Sequence, residues 1–165
     1  MGEFSVRALT SVDWAALRAA RVAALEDSPE SFGGDPGVEA LWAADHWVHS
    51  LAEASWAVIE APGGPLGLIG VRPAADVDDC DCWISSWWVA PSARGAGAAE
   101  ALLAWADTRC AGRGWRRQGL GVWVENARAQ RAFARLGFAA DGGPRQSTHF
   151  PGRRYVRMLR AVPEG

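Results

Sequence analysis

The sequence predicts a single mixed α/β domain, and three observations support this. The 165 residues suffice for one hydrophobic core, and 49% of them are hydrophobic against 22% charged, as in a typical globular protein. The predicted elements follow the order β-α-α-β-β-β-α-β-α-β-β. No repeat, linker or change in composition divides the chain, so we expect residues 1–165 to form one domain.

The first half of the chain predicts a strand, two helices and a hairpin. "FSVRAL" alternates polar and apolar residues as a strand does. Thr10 and Asp13 resemble a capping box that opens a helix through about Leu25. "DSPESFGGDPG" breaks that helix, and a second helix is expected over 39–52. "WAVIEA" and "LGLIGVRPA" flank a Pro-Gly-Gly-Pro turn, which predicts a β-hairpin.

The second half begins with "CWISSWWVA", whose aromatic and β-branched residues predict a strand. A glycine-containing loop and a helix ending near 112–114 follow, and "GLGVWVE" predicts the next strand. "NARAQRAFARLGF" predicts a short helix with Asn126 at its N-cap and Gly137 at the left-handed position after its end. Two last strands are expected over 138–146 and 153–162.

Charge and composition exclude several classes of function. The net charge of −2 leaves no footprint for a polyanion, so we expect no nucleic-acid partner. No apolar run approaches the roughly 20 residues of a membrane span, and the N-terminus does not resemble a signal peptide. We therefore expect a cytoplasmic protein with no membrane partner. Three cysteines without further clustered metal ligands predict reduced thiols and no metal site.

A glycine loop carries the first indication of a ligand. Its residues, at the start of the predicted long helix, are Arg94, Gly95, Ala96, Gly97, Ala98 and Ala99. The first N–H groups of a helix have no intrahelical partner and lie at the positive end of its dipole, so such a loop binds phosphate or pyrophosphate. The alternative is a glycine loop that serves packing alone. No Gly-Lys-Ser/Thr follows, which argues against a P-loop nucleotide site.

This loop and the residues after it resemble the GNAT acetyltransferases. The matching positions are Val89, Pro91, Arg94, Gly95, Gly97, Ala99, Asn126, Ala129, Phe133, Gly137 and Phe138. The resemblance implies a GNAT fold, in which a mixed, mostly antiparallel sheet with splayed central strands is flanked by helices. It also implies acetyl-CoA as cosubstrate.

The resemblance also assigns residues to the cosubstrate. The glycine loop would take the pyrophosphate, and backbone groups of 87–89 would bond the pantetheine and polarise the thioester carbonyl. Asn126 would contact the cosubstrate from the end of the following strand, and Phe133 lies where many relatives place a tyrosine acid. The full set is Trp87, Trp88, Val89, Arg94, Gly95, Ala96, Gly97, Ala98, Ala99, Asn126 and Phe133.

The expected catalytic groups depart from the family pattern. Phe133 cannot donate a proton, and Trp83 stands where histone-acetylating relatives carry a glutamate base. Two-residue periodicity places four side chains on one strand face: Asp81, Trp83, Ser85 and Trp87. Asp81 or Ser85 would hold a water that takes the amine proton, and Tyr155, the only tyrosine, would replace the missing acid. For each of the three, a structural role is the alternative.

Aromatic residues indicate the acceptor site. The ten tryptophans are unusual, and we expect Phe32, Trp42, Trp47 and Trp83 to contact the acceptor, with Trp87 facing it. An aromatic wall suits an apolar, aromatic or cationic acceptor, whereas plain core packing is the alternative. Four acidic residues, Asp76, Asp78, Asp79 and Asp81, would steer an amine towards the site or form a solvated turn.

Two functions from different classes remain. The first is an acetyl-CoA-dependent N-acetyltransferase that modifies a primary amine of a small molecule, antibiotic-like or amino-acid-derived, or a peptide N-terminus. The second is a catalytically weak GNAT-fold protein that binds acyl-CoA or an aromatic ligand. Since relatives are often dimers, the resemblance also implies a homodimer, although no interface is evident in the sequence.

Overall fold

Eight strands form one sheet in the computed structural model, which describes residues 3–75 and 79–165. The strands are β1 (Arg7–Ala8), β2 (Ser55–Ala61), β3 (Gly64–Pro73), β4 (Cys82–Val89), β5 (Arg117–Trp123), β6 (Ala139–Ala140), β7 (Arg145–Gln146) and β8 (Arg154–Ala161). Their order is β1-β2-β3-β4-β5-β8-β6, and β7 also pairs with β8. All pairs are antiparallel except β4 with β5. The mixed, mostly antiparallel sheet is therefore as expected.

Five α-helices flank the sheet in the described part of the chain. They are α1 (Trp14–Asp27), α2 (Pro36–Glu39), α3 (Ala44–Glu53), α4 (Ala98–Gly112) and α5 (Ala127–Arg135). Within the same residues, no helix combines the length and the apolar character that a bilayer crossing demands.

The sheet is buried on both faces. Helix α4 packs Leu102 on one face, where Ile69 also lies in the core. On the other face, α1 packs Leu17 against a second core that contains Leu68. Neighbouring residues of β3 thus enter different cores, which explains why "LGLIGV" reads as an almost continuous apolar run instead of an alternating one.

The two central strands separate soon after they meet. Only Cys82 with Gln118 and Trp83 with Gly119 pair between parallel β4 and β5. Past Trp83, no strand of the described ranges pairs with the edge of β4 that faces β5, so a gap opens between the two halves of the sheet. This confirms the splay that the family resemblance implies.

A bulge interrupts β4 beside this gap. The register with β3 runs from Ser85 opposite Gly70 to Trp88 opposite Leu68, so Ser86 and Trp87 together oppose one residue. Ser86 has a φ of 50°, which is the left-handed region. The extra residue reverses the alternation of side chains. Strict two-residue periodicity is therefore wrong for Trp87, which packs in the same core as Ile84, whereas Trp88 packs in the other core.

Several element boundaries differ from those expected. Helix α1 begins after Asp13, and Thr10 donates from its N–H and hydroxyl to Asp13 Oδ2, so Thr10 is not its N-cap. The strand expected over 138–146 is broken into β6 and β7. The β2–β3 hairpin is confirmed. So are both ends of α5: Asn126 Oδ1 accepts from the Ala129 N–H at 3.1 Å, and Gly137 has a φ of 99°.

Candidate active site

A cleft of about 1430 Å³ occupies the gap between β4 and β5. Its walls come from α1, α2 and α3 on one side, from the two splayed strands, and from α5 and the segment around Phe150 on the other. The cleft crosses the sheet where the backbone of β4 is unpaired. A ligand here can therefore bond both to backbone groups and to side chains of several elements.

The glycine loop before α4 begins at Arg94, which lines the cleft, and leaves a run of amides open after it. Among the described residues, hydrogen bonds engage the N–H groups of Arg94 and Ala101 but none of those from 95 to 100. Gly95 and Gly97 have φ values of 72° and 94°, and a Cβ at either would meet nothing within 4 Å. Unpaired amides at the positive end of α4 are suited to phosphate oxygens.

Arg94 is held against the protein instead of projecting freely into the cleft. Its Nε donates to the Val89 carbonyl at 3.0 Å, and a terminal nitrogen donates to Asp27 Oδ2 at 2.5 Å. Trp88 Nε1 donates to the same oxygen at 3.0 Å. Burial would raise the pKa of Asp27, but hydrogen bonds from Ser28, Trp88 and Arg94 hold it below its ordinary value. The expected phosphate contact of Arg94 would therefore have to share this guanidinium with Asp27.

Trp87 brings an unpaired donor to the other wall of the gap. Its ring lies 5.1 Å from that of Phe133 and 6.1 Å from that of Phe138, centroid to centroid. The indole Nε1 is buried and has no partner among the described residues. A buried N–H without an acceptor is costly unless a ligand or water supplies one. Phe133 thus packs in an aromatic cluster, which the sequence did not indicate.

Asn126 lies where the cleft meets the segment after α1. Besides capping α5 with its oxygen, it donates from Nδ2 to Ser31 Oγ at 3.1 Å. Close by, Phe150 covers Gly33 so tightly that a Cβ on this glycine would lie 2.2 Å from the ring. Phe150 also meets Trp123 edge to face at 5.8 Å. The segments on both sides of the cleft therefore touch across it.

Trp83 and Tyr155 lie side by side over the bare backbone of β5. A Cβ on Gly121 would be 3.1 Å from Tyr155 Cδ2 and 3.3 Å from Trp83 Cζ2. Both side chains line the cleft. No hydrogen bond to the Tyr155 hydroxyl occurs within residues 3–75 and 79–165. Beneath them, buried Arg157 is bonded to Asp141, which holds the pKa of Asp141 below its ordinary value.

Two expected base positions are placed differently. Asp81 Oδ2 accepts the N–H groups of Arg116 and Arg117 at 2.7 and 2.9 Å, and the residue does not line the cleft. Its carboxylate therefore supports the start of β5, which is the structural alternative for this residue. Ser85 does line the cleft, opposite Gly70 of β3. Of the proposed acidic edge, residues 76 and 78 lie outside the described residues.

The expected acceptor residues meet along one wall. Trp42 lies 4.0 Å from the ring of His46 and 5.7 Å from that of Trp47. Trp47 is only 3% exposed and also packs in the α1 core, while Trp42 is 38% exposed. Phe32 lies 5.6 Å from the guanidinium carbon of Arg21. Phe32, Trp42 and Trp47 therefore all line the cleft, and Trp47 also serves core packing.

A buried polar group in the same wall was missed by sequence reasoning. Arg21 on α1 pairs with Glu39 on α2 at 3.1 and 3.2 Å and donates to Ser86 Oγ at 2.9 Å. Glu39 is 4% exposed. No spacing rule links residues so far apart. From sequence alone, a charged residue such as Glu39 in a short helix is expected to be exposed to solvent.

An acyltransferase that takes its acyl group from a nucleotide-linked thioester has this combination of splayed strands, open amides and an adjacent acceptor cleft. A comparison with protein-family models supports that class: the model of the acetyltransferase (GNAT) family matches residues 20–138. The chain therefore belongs to the GNAT family and is an acetyltransferase. A search of curated proteins finds no match.

Solved structures share the fold at low sequence identity. A GNAT-family acetyltransferase from Streptococcus pneumoniae has a TM-score of 0.74 at 16% identity, covering 98% of this chain and 100% of its own. The protein yncA from Salmonella typhimurium, solved with its cofactor acetyl-CoA, has a TM-score of 0.70 at 19% identity, covering 99% and 96%. The ribosomal-protein-S18-alanine N-acetyltransferase from Escherichia coli has a TM-score of 0.65 at 15% identity, covering 99% and 96%.

Proposed function

We propose that this protein is an acetyl-CoA-dependent N-acetyltransferase that modifies a primary amine of a small molecule. The observation that carries the proposal is the row of open amides at 95–100, which directly follows Arg94, a residue in the lining of the cleft. A diphosphate at these amides would leave the rest of a long thioester to lie along the unpaired edge of β4. The acceptor would then reach the thioester from the aromatic wall.

Three features of the cleft fit acetyl-CoA. The open space above Gly95 and Gly97 admits phosphate oxygens to the backbone. The unpaired indole N–H of Trp87 could donate to an amide carbonyl of the pantetheine. Past Trp83, β4 offers backbone groups of 87–89 as in the family pattern. The cosubstrate of yncA is consistent with this assignment. Bound there, acetyl-CoA supplies the activated acetyl group.

The contacts across the cleft favour a small acceptor over a folded protein surface. Asn126 bonds Ser31, and Phe150 seals against Gly33, so the two walls meet above the gap. A protein acceptor would have to enter between them, although the Escherichia coli enzyme of related fold is named for an alanine of a ribosomal protein. The wall of Phe32, Trp42 and Trp47 suits an amine with an aromatic or apolar body, such as an antibiotic-like or amino-acid-derived compound.

The chemistry would depend on positioning more than on a strong base. Asp81 is committed to the backbone of β5, so Ser85 becomes the remaining candidate to hold a water that takes the amine proton. The Tyr155 hydroxyl, free of protein partners among the described residues, would donate a proton to the departing thiolate. Trp83 would fix the ring of Tyr155. Holding the amine against the thioester supplies the rest of the rate enhancement.

A second candidate function is a binding protein with weak catalysis. Phe133 in place of a proton donor and the structural use of Asp81 favour it. In that case the same amides would hold acyl-CoA without turnover.

Calorimetry and a thiol-release assay test the two functions together. We expect wild-type protein to bind CoA and desulfo-CoA, and to release thiol from acetyl-CoA with at least one amine of a broad panel. Binding without turnover across the panel would favour the second function. Absence of any CoA binding would exclude both.

Acceptor size is tested with Phe150→Ala. Opening the contact with Gly33 should raise the rate for bulky amines relative to small ones, whereas Val12→Ala, at an exposed site outside the cleft, should not change this ratio. An unchanged preference in Phe150→Ala would contradict the small-acceptor proposal.

The setting of the reaction is also part of the proposal. The three cysteines are free thiols, as is usual in a reducing compartment, so we place the enzyme in the cytoplasm. The homodimer that the family resemblance implies stays a prediction, and sedimentation velocity would test it.

A further inference from the structure

One arginine ties three separate elements together beside the gap in the sheet. Arg21 on α1 makes a two-point contact with the Glu39 carboxylate on α2 and a third contact with Ser86 on β4. The side chains of Arg21 and Glu39 are 17% and 6% exposed. A Cβ on Gly34 would lie 2.1 Å from Glu39 Oε2, so the chain passes this pair with no room to spare. The arrangement fixes the guanidinium with little freedom to move.

The third contact of Arg21 restricts the direction of the Ser86 hydroxyl. Because Arg21 donates to Ser86 Oγ at 2.9 Å, that oxygen is an acceptor on its α1 side and must direct its own hydrogen elsewhere. No hydrogen bond from this hydroxyl to an acceptor occurs in the described ranges, and Ser86 lines the cleft. The donor of Ser86 is therefore available to whatever occupies the gap.

The backbone at Ser86 is unusual for this residue type. Its φ of 50° places a side-chain-bearing residue in a left-handed conformation, which is unfavourable for any residue with a Cβ. Glycine adopts this conformation without strain. A serine at this position places a hydroxyl on the α1 side of β4, three residues past the last pair of β4 with β5.

We propose that the Ser86 hydroxyl is a catalytic hydrogen-bond donor to the carbonyl oxygen of the thioester, and that Arg21 and Glu39 position it. The proposal rests on the proposed N-acetyltransferase function and adds a group to its site. An adjacent cation bonded to Oγ polarises the O–H bond, which strengthens the donor. Ser86 is thus distinct from Ser85, the candidate for holding a water.

The donor acts on charge that exists only during the reaction. As the amine nitrogen bonds to the carbonyl carbon, the electron pair of the C=O double bond moves to oxygen. Collapse of this intermediate restores the double bond and breaks the C–S bond, so that CoA leaves as a thiol after taking up the proton lost by the amine. Ser86 keeps its proton throughout. A donor aimed at the transient oxyanion lowers the barrier without tightening ground-state binding.

The test variant is Ser86→Gly, which removes the hydroxyl and relieves the backbone strain. We expect kcat for acetyl-CoA and the best amine of the panel to fall roughly 100-fold, a loss typical of one oxyanion donor. KM for acetyl-CoA and the calorimetric affinity for desulfo-CoA should stay at wild-type values. Thr108→Ala, which removes an exposed hydroxyl on α4, is the matched control and should leave kcat unchanged. Wild-type kcat in Ser86→Gly would overturn the proposal.

The positioning role of Arg21 is tested by a double-mutant cycle. Arg21→Met combined with Glu39→Met removes the pair without leaving one buried charge unpaired. This replacement should lower kcat in the wild-type background and have little further effect in the Ser86→Gly background, because it acts through the hydroxyl. An equal fold-loss of kcat in both backgrounds would show that Arg21 and Glu39 act independently of Ser86, and would overturn their positioning role. If the wild-type protein does not bind desulfo-CoA, the proposed function itself fails. If binding is intact but Ser86→Gly has the wild-type kcat, only the role of Ser86 fails.

Discussion

The indole N–H of Trp88 donates a 3.0 Å hydrogen bond to the carboxylate of Asp27, and Arg94 donates to the same oxygen. One oxygen atom of α1 therefore joins β4 to the loop that precedes α4. The Trp88 ring is otherwise buried against α1. This shared acceptor holds the glycine loop at a fixed distance from the bulged strand.

Asp27→Asn should destabilise the protein at neutral pH. The pKa of Asp27 is lowered in the folded state, so its contribution is present above its ordinary value near 3.8 and is lost as the pH falls through the folded value. The variant should lose about 1–3 kcal/mol at pH 7, as for a hydrogen-bonded charged group, and less at pH 3. Urea unfolding at both pH values measures this. Glu26→Gln, on the exposed side of the same helix, is the control; an equal loss at both pH values would contradict the role of the charge.

Gly97→Trp should abolish CoA binding and leave the protein folded. The left-handed φ at Gly97 disfavours any other residue, and an indole there would cover the open amides. Gly114→Trp carries the same kind of backbone strain at the opposite end of α4, also in open space. Circular dichroism and calorimetry with CoA separate the two effects. Wild-type affinity in Gly97→Trp would remove the phosphate assignment.

Gly121→Ala should impair turnover without weakening CoA binding. The new methyl group would lie 3.1 Å from the ring of Tyr155 and 3.3 Å from that of Trp83, so both rings must shift. Tyr155→Phe should lower kcat to a similar degree if the hydroxyl is the acid. Steady-state kinetics of the two variants and of their combination provide the measurement. A wild-type kcat in Tyr155→Phe would show that Tyr155 is not the acid and that water protonates the CoA thiolate.

Phe133→Tyr should keep or raise the rate of thiol release. The ring packs against Trp87 and Phe138, and it is only partly buried, so one added hydroxyl can point towards the cleft. A new proton donor would then lie where many relatives have one. The assay is kcat at several pH values beside the melting temperature. A lower melting temperature with lost activity would mean that the aromatic cluster has no room for the hydroxyl.

The sequence predicted those parts of the site that depend on local chemistry. Gly95 and Gly97 predict a loop with positive φ, and Asn126 predicts the start of a helix, because each residue type has its own conformational preference. The family resemblance added the splay of β4 and β5. These features are all present.

Contacts between residues far apart in the chain could not be predicted from the sequence. The bulge at Ser86 depends on how β4 aligns with β3, and one additional residue reversed the expected face of Trp87. Asp81 satisfies two amides of a strand that begins more than thirty residues later. Similarly, the pairing of Arg21 with Glu39 and Ser86 requires α1, α2 and β4 to be assembled.

The brevity of the contact between β4 and β5 has a consequence for how the enzyme tolerates heat. Strands β4 and β5 share two residue pairs, so the two halves of the sheet are joined near one end of these strands. A ligand bound in the gap between β4 and β5 would supply hydrogen bonds that the separated strands do not make. Because it binds only the folded state, it raises the free energy of unfolding in proportion to the logarithm of its concentration. If the proposed cosubstrate occupies this gap, its cellular concentration would set part of the melting temperature of the protein.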